Sequence, residues 1–145
     1  MIHTRPTSRQ IRDETGYPAV TILNYVSPLN EGVLPQADAR GYAGSDQDDE
    51  WLEISLALSP ELVVTEARFR AVGCPALIAA GSMLTQLVRG RSLSDTHFLT
   101  AAELDRALGH LPDLRRYAAS IAVKALQQAA AKVWESRPPV LRHAV

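Results

Sequence analysis

The chain has 145 residues, of which 46% are hydrophobic and 21% charged, with a formal net charge of −1; this is enough apolar material for one ordinary domain with a buried core. The near-zero charge and a sequence pI near 6.4 give no electrostatic reason to expect nucleic acid or an anionic membrane surface as a partner. No apolar run approaches the roughly 20 residues that a membrane-crossing helix needs. The single cysteine excludes an internal disulfide framework and fits a reducing compartment, so the cytoplasm is the expected location.

Residues 1–16 are polar and carry Arg5, Arg9 and Arg12 with no apolar core behind them, which reads as a flexible arm and not as a secretory signal. Tyr17-Pro18 then opens a short helix over Ala19–Val26, with Val20, Ile22 and Leu23 available for an apolar face. Ser27-Pro28-Leu29-Asn30-Glu31-Gly32 reads as a turn, because proline cannot continue a helix and glycine frees the backbone. A short strand fits Arg40–Ser45, and Asp46-Gln47-Asp48-Asp49-Glu50 forms an acidic run.

Two strands with period-2 patterning follow. In Trp51–Leu58, Leu52, Ile54, Leu56 and Leu58 point one way, Glu53 and Ser55 the other. In Leu62–Val72, Val63, Ala67, Phe69 and Ala71 take the core side, and Glu66, Arg68 and Arg70 face water. The remainder reads as helical. Pro75 at a first helical position starts a helix to about Val88, striped by Leu77, Ala80, Leu84 and Leu87 and stopped by Arg89-Gly90-Arg91. Ser92–Asp95 starts a short turn or helix, and Thr100-Ala101-Ala102-Glu103 is a capping-box pattern opening a helix through Leu108. A last helix is expected from about Pro112 to Ser136, with Leu114, Ala118, Ile121, Ala125 and Ala129 at helical spacing. Arg137-Pro138-Pro139 ends it and leaves a short tail. The expected organisation is therefore an arm (1–16), one domain (17–136) and a tail (137–145). Its class is α+β: a small antiparallel sheet packed on one face by a helical layer.

Cys74 is the residue that chemistry singles out. It sits between a strand end and a helix start, where unpaired N–H groups and the helix dipole favour thiolate, the form that ligates metal or attacks a persulfide. The competing reading is a small buried hydrophobe. Asp46, Asp48, Asp49 and Glu50 could gather a hard cation, although an acidic run before a strand is commonly a solvated loop and lacks a calcium-loop frame. His3, His97, His110 and His143 show no paired ligand spacing, and in His97-Phe98 the ring of Phe98 is expected inside with His97 at the rim.

The stretch from Glu66 to Ser82, EARFRAVGCPALIAAGS, resembles the strand-to-helix segment (D/E)ARF-x-x-x-GC-x-x-x-I-A-x-x-S of the NifU N-terminal/IscU-like iron–sulfur cluster assembly scaffolds. Leu87–Leu93 is similar to that family's V-x-G-K-S-L turn, Asn24–Gly32 to its H-Y-x-N-P-x-N-x-G segment, and Ala122, Ala125 and Leu126 to its closing A-x-x-A-(I/L). The resemblance covers about residues 17–135 and implies a three-stranded antiparallel sheet under helices. It also implies a site of three cysteines, an aspartate and a histidine. Carried onto this sequence, the first cysteine falls on Asp48, the aspartate on Glu50, the second cysteine on Cys74, the histidine on Tyr117 and the third cysteine on Ala118. On this reading the chain is a degenerate member with one of three ligand cysteines.

A [2Fe–2S] cluster takes four thiolate or imidazole ligands, so a conventional cluster is not expected in a monomer. A mononuclear iron or zinc on Asp48, Glu50 and Cys74, with Tyr117 as a weak further ligand, is the metal-binding alternative. The chaperone-read stretch L-P-P-V-K of the family is altered here by Asp113 and Arg116. The implied partners are a cysteine desulfurase and iron–sulfur client or carrier proteins. Two functional expectations follow: a sulfur or iron carrier acting through Cys74, not a turnover enzyme by itself, or a non-catalytic module that docks on a desulfurase or maturation complex.

Overall fold

The structure, a computed structural model, describes residues 16–45 and 49–136. Its elements are α1 (Ala19–Val26), β1 (Ala39–Ser45), β2 (Glu50–Leu58), β3 (Val64–Val72), α2 (Pro75–Val88), α3 (Leu93–Thr96), α4 (Ala101–Ala107), a 3-10 turn (Asp113–Arg115) and α5 (Tyr117–Glu135). The strands form an antiparallel sheet in the order β1-β2-β3. Leu52, Ile54, Leu56, Ala67 and Phe69 are buried on the face that α2 and α5 cover. Among the described residues no helix is long and apolar enough to cross a membrane.

Strand alternation holds over most of β2 and β3 but breaks at one point. The register runs Ala57↔Glu66 and then Leu58↔Val64, so Thr65 is an extra residue in β3. A bulge of one residue reverses which side chains face inward. Val64, not the expected Val63, is therefore the fully buried valine. Ser55, expected to face water, is also buried, because its outward position is covered by Arg40, whose guanidinium reaches its hydroxyl at 3.4 Å.

The short helix α1 keeps only Ile22 of its expected apolar face inside. Leu23 is 61% exposed and Val20 lies outside too, while Thr21, Ile22 and Asn24 are buried. The cause is a polar seam with α2. The Asn24 side-chain oxygen accepts from the Ser82 hydroxyl at 2.7 Å and from the Gln86 amide at 2.8 Å, and Ser82 Oγ accepts from the Leu29 backbone N–H at 2.9 Å. A buried hydroxyl that loses its acceptor costs about 1–3 kcal/mol. Asn24→Ala is therefore expected to lower the urea midpoint by a loss of that size, and a midpoint equal to the parent's would show the seam to be dispensable.

Helix α2 starts and stops where proline and Arg89-Gly90 place it, but no narrow stripe describes it. Ala76, Leu77, Ala79, Ala80, Gly81, Ser82, Leu84, Thr85 and Val88 are buried, and Leu87 only partly. It lies between the sheet, α1 and α5, so most of its circumference is covered. The Thr100 hydroxyl caps α4 by accepting from the Glu103 N–H at 3.1 Å. Two further expectations are corrected. The last α-helix begins at Tyr117, after a 3-10 turn, which leaves Leu114 at 85% exposure. Phe98 is 73% exposed, stacked edge-on against His97 instead of being buried.

Candidate functional site

The antiparallel register of β2 and β3 pairs Trp51 with Val72, which brings Glu50 at the head of β2 beside Gly73 and Cys74 at the end of β3. Gly73 has φ +155°, and a Cβ there would stand 2.8 Å from Leu77 Cδ2 and 2.9 Å from Glu50 Oε1. The missing side chain is what lets Glu50 reach across. Cys74 then takes the N-cap position of α2, with no side-chain cap of its own. Its backbone N–H donates to Glu50 Oε1 at 2.8 Å; the carboxylate thus satisfies a donor at the helix mouth.

Tyr117, the first residue of α5, closes the other side. Its hydroxyl lies 3.6 Å from Cys74 Sγ and accepts from Arg115 Nη1 at 3.2 Å. Glu50, Gly73, Cys74, Arg115 and Tyr117 line an open hollow of about 510 Å³. Tyr17, 5% exposed, is hydrogen-bonded to Arg115 and feels the charges of Cys74 and Arg115.

The proton affinities do not follow the sequence-based expectation for Cys74. Burial pushes its thiol above the ordinary cysteine value; the Tyr117 hydroxyl and the nearby Leu77 N–H oppose this, and the Glu50 carboxylate adds to it. The helix mouth alone would favour thiolate, but desolvation and a neighbouring negative charge outweigh it. Glu50 goes the other way. Burial would raise it, yet hydrogen bonds from Tyr117 and Cys74, with the charge of Arg115, hold it below the ordinary carboxylate value. Desolvation, followed by the hydrogen bonds to Glu50 and Cys74, raises the Tyr117 phenol well above its usual range, so it is a neutral hydroxyl.

Of the four residues expected at the site, the structure brings together Glu50, Cys74 and Tyr117; Asp48 lies outside the described residues. Asp46, His3 and His143 lie outside them as well. His110 pairs with Asp105 at 3.2 Å, and His97 packs on Phe98; neither lines the hollow. Arg115 and Tyr17 were not singled out from sequence. The signal for Arg115 was its place two residues before Tyr117 in a proline-led turn.

The donor set can be tested against an iron–sulfur cluster. Among the described residues no three His, Cys, Asp or Glu side chains gather to hold a metal ion. The hollow offers one thiol, one carboxylate already engaged by a backbone N–H, and one protonated phenol beside a guanidinium. A cluster requires several soft anionic ligands. These residues do not fit one.

Residues 17–138 match the family described as NifU-like N terminal domain. The chain belongs to this family. Over 119 residues it is 42% identical to the nitrogen fixation protein NifU of Cereibacter sphaeroides, covering 82% of this chain. It is 29% identical over 107 residues to the iron-sulfur cluster assembly scaffold protein IscU of Aquifex aeolicus, covering 73% of this chain and 68% of that one. The crystal structure of a NifU-like N-terminal protein from Brucella abortus superposes with a TM-score of 0.68 at 13% identity, covering 81% of this chain and 94% of the other, and so shares the fold. The chain spans 25% to 47% of the length of the NifU-type relatives it matches. The three-stranded antiparallel sheet under helices is thus a NifU-like architecture, and relatives such as the Aquifex aeolicus protein bear the name of scaffolds for iron–sulfur cluster assembly.

Proposed function

We propose that this NifU-like domain serves iron–sulfur cluster assembly as a sulfur carrier, with Cys74 accepting sulfane sulfur from a cysteine desulfurase and delivering it to a client or carrier protein. The observation that supports this reading is the position of Cys74 at the mouth of α2, on the wall of an open hollow and beside the Glu50 carboxylate and the Tyr117 hydroxyl. The transfer needs one thiol. The Cys74 sulfur forms a bond to the outer sulfur of the donor persulfide, the donor's S–S bond breaks, and its electron pair leaves on the donor sulfur. The Cys74 proton ends on that departing thiolate, so a thiol and a persulfide exchange one sulfane sulfur without an added oxidant or reductant. Glu50 holds the helix mouth in place through the Cys74 N–H, and the neutral Tyr117 hydroxyl faces the sulfur.

A second reading, a non-catalytic module that docks on a desulfurase or maturation complex, draws its support from the same thiol: burial raises its proton affinity, which disfavours the attacking form. Incubation of the purified protein with a cysteine desulfurase and cysteine separates the two. Intact mass should show a one-sulfur gain on the parent and none on Cys74→Ser. No gain on either, with desulfurase binding retained, would leave the docking module.

A further inference from the structure

Arg116 is ion-paired to Asp113 at 3.2 Å, Arg68 to Glu66 at 3.1 Å and Arg70 to Glu53 at 3.1 Å. Arg115 has no ion pair of this kind among the described residues. Its side-chain hydrogen bonds go to neutral phenol oxygens, that of Tyr117 at 3.2 Å and that of Tyr17. A guanidinium carries five N–H donors in a rigid fork, more than two phenol oxygens take up, and this one stands at the wall of a hollow that also contains the thiol. The bond to Tyr117 fixes where the fork stands, because Tyr117 is itself 3.6 Å from Cys74 Sγ. A second sulfur bonded to Sγ extends about 2.05 Å beyond it, and the hollow is the open space around that sulfur. The acid lining the hollow, Glu50, is drawn toward the Cys74 N–H and Tyr117. An incoming group therefore meets a guanidinium with donors to spare, beside a carboxylate already engaged by a backbone N–H.

From this we infer that the hollow is an anion site, and that Arg115, held by Tyr117, is a positioning residue for the anionic outer sulfur of a persulfide on Cys74. The inference rests on the sulfur-carrier reading for the identity of the anion, but the anion preference itself does not. The same arrangement disfavours a free divalent cation, which would have to approach a guanidinium that among the described residues has no carboxylate within ion-pairing distance.

The test compares two alkylating agents of similar size at Cys74, anionic iodoacetate and neutral iodoacetamide, in the parent protein, Arg115→Gln and Arg115→Lys. The iodoacetate-to-iodoacetamide rate ratio should fall several-fold in Arg115→Gln, recover in Arg115→Lys, and decline with added salt in the parent. Dividing the two rates cancels any general change in thiol exposure or ionisation, so a merely structural role for Arg115 would leave the ratio unmoved. An unchanged ratio in Arg115→Gln overturns the anion site. Loading with desulfurase and cysteine, removing the donor and following the mass adduct then addresses the sulfur. A shorter adduct lifetime in Arg115→Gln than in the parent supports the positioning role, and equal lifetimes overturn it. A parent that never gains sulfur, with the rate ratio still sensitive to Arg115, removes the sulfur-carrier reading while leaving the anion site in place.

Discussion

Gly41→Ala is expected to destabilise this fold more than any other substitution considered. Helix α5 rests on β1 with almost nothing between them. A Cβ on Gly41 would overlap the carbonyl oxygen of Ala125 and stand 2.6 Å from the backbone nitrogen of Ala129. Neither atom can rotate away, so the whole helix would have to lift. The residues that would lose packing are Ala122, Ala125, Leu126 and Ala129, all fully buried, together with the 2.6 Å hydrogen bond by which Gln128 Oε1 accepts from the Tyr42 N–H at the sheet edge. Overpacking typically costs about 1–3 kcal/mol and occasionally more, and backbone collision places this case at the upper end. Urea unfolding of the full chain should show a midpoint lowered accordingly, or no cooperative transition. The instructive partner is Gly81→Ala, where the added Cβ would meet the ring of Phe69. A ring can tilt, so the loss there should be smaller. If Gly41→Ala unfolds at the parent's midpoint, β1 and α5 are not in backbone contact.

The contrast between these glycines and the rest of the chain shows what was legible in the sequence. Strand alternation in Leu52, Ile54 and Leu56, the proline-led start of α2 and the Thr100 cap all report local rules: pleat, missing N–H, orphan donors. The structure repeats them within a residue or two. The order of those elements, together with the EARF…GC segment, carried the architecture. What failed depended on a partner far along the chain. Asn24 faces inward because Ser82 and Gln86 lie 58 and 62 residues away with hydrogen bonds to offer, and hydropathy alone turns such a helix over. Val64 replaced Val63 because one inserted residue reversed the parity of the strand. Leu114 is exposed because Pro112 opens a 3-10 turn, whose tighter winding breaks the stripe assumed for a continuous helix.

The site was readable to the same degree. Cys74 stood out by its setting at a helix start, and Glu50 and Tyr117 by their places in the resemblance. The thiol's proton affinity was misread, since burial and the Glu50 charge cannot be seen from a cysteine's position at a helix start. Arg115 escaped notice because only the folded chain brings its turn to the hollow that Glu50 and Cys74 line.

The balance between Glu50 and Cys74 sets the second large effect. The rate of alkylation of Cys74 by iodoacetamide should rise with pH to a midpoint above the 9.0 of an unperturbed cysteine, since burial and then Glu50 hold the proton on. Glu50→Gln removes a negative charge and an acceptor from the thiol, so its midpoint should move down and the rate at neutral pH should rise. Tyr117→Phe removes a donor that steadies the thiolate, so its midpoint should move up. Opposite movements are the signature; shifts of both variants in one direction would mean that solvent access, not the local charges, controls the thiol. The same two groups shape stability in opposite directions. The folded protein holds Glu50 below its ordinary 4.5, so its contribution is present above that pH and is lost as pH falls through the folded value. The folded protein holds Cys74 above 9.0, so its contribution is present below that pH and is lost as pH rises through the folded value, in the range where the raised Tyr17 and Tyr117 add to the loss. Urea midpoints across pH should therefore describe a plateau with two limbs. Glu50→Gln should flatten the acid limb, and Cys74→Ala should soften but not abolish the alkaline one. An acid limb unchanged by Glu50→Gln would mean that the carboxylate closing the helix mouth bears no net charge interaction in the folded state, and the polar wall of the hollow would lose its physical basis.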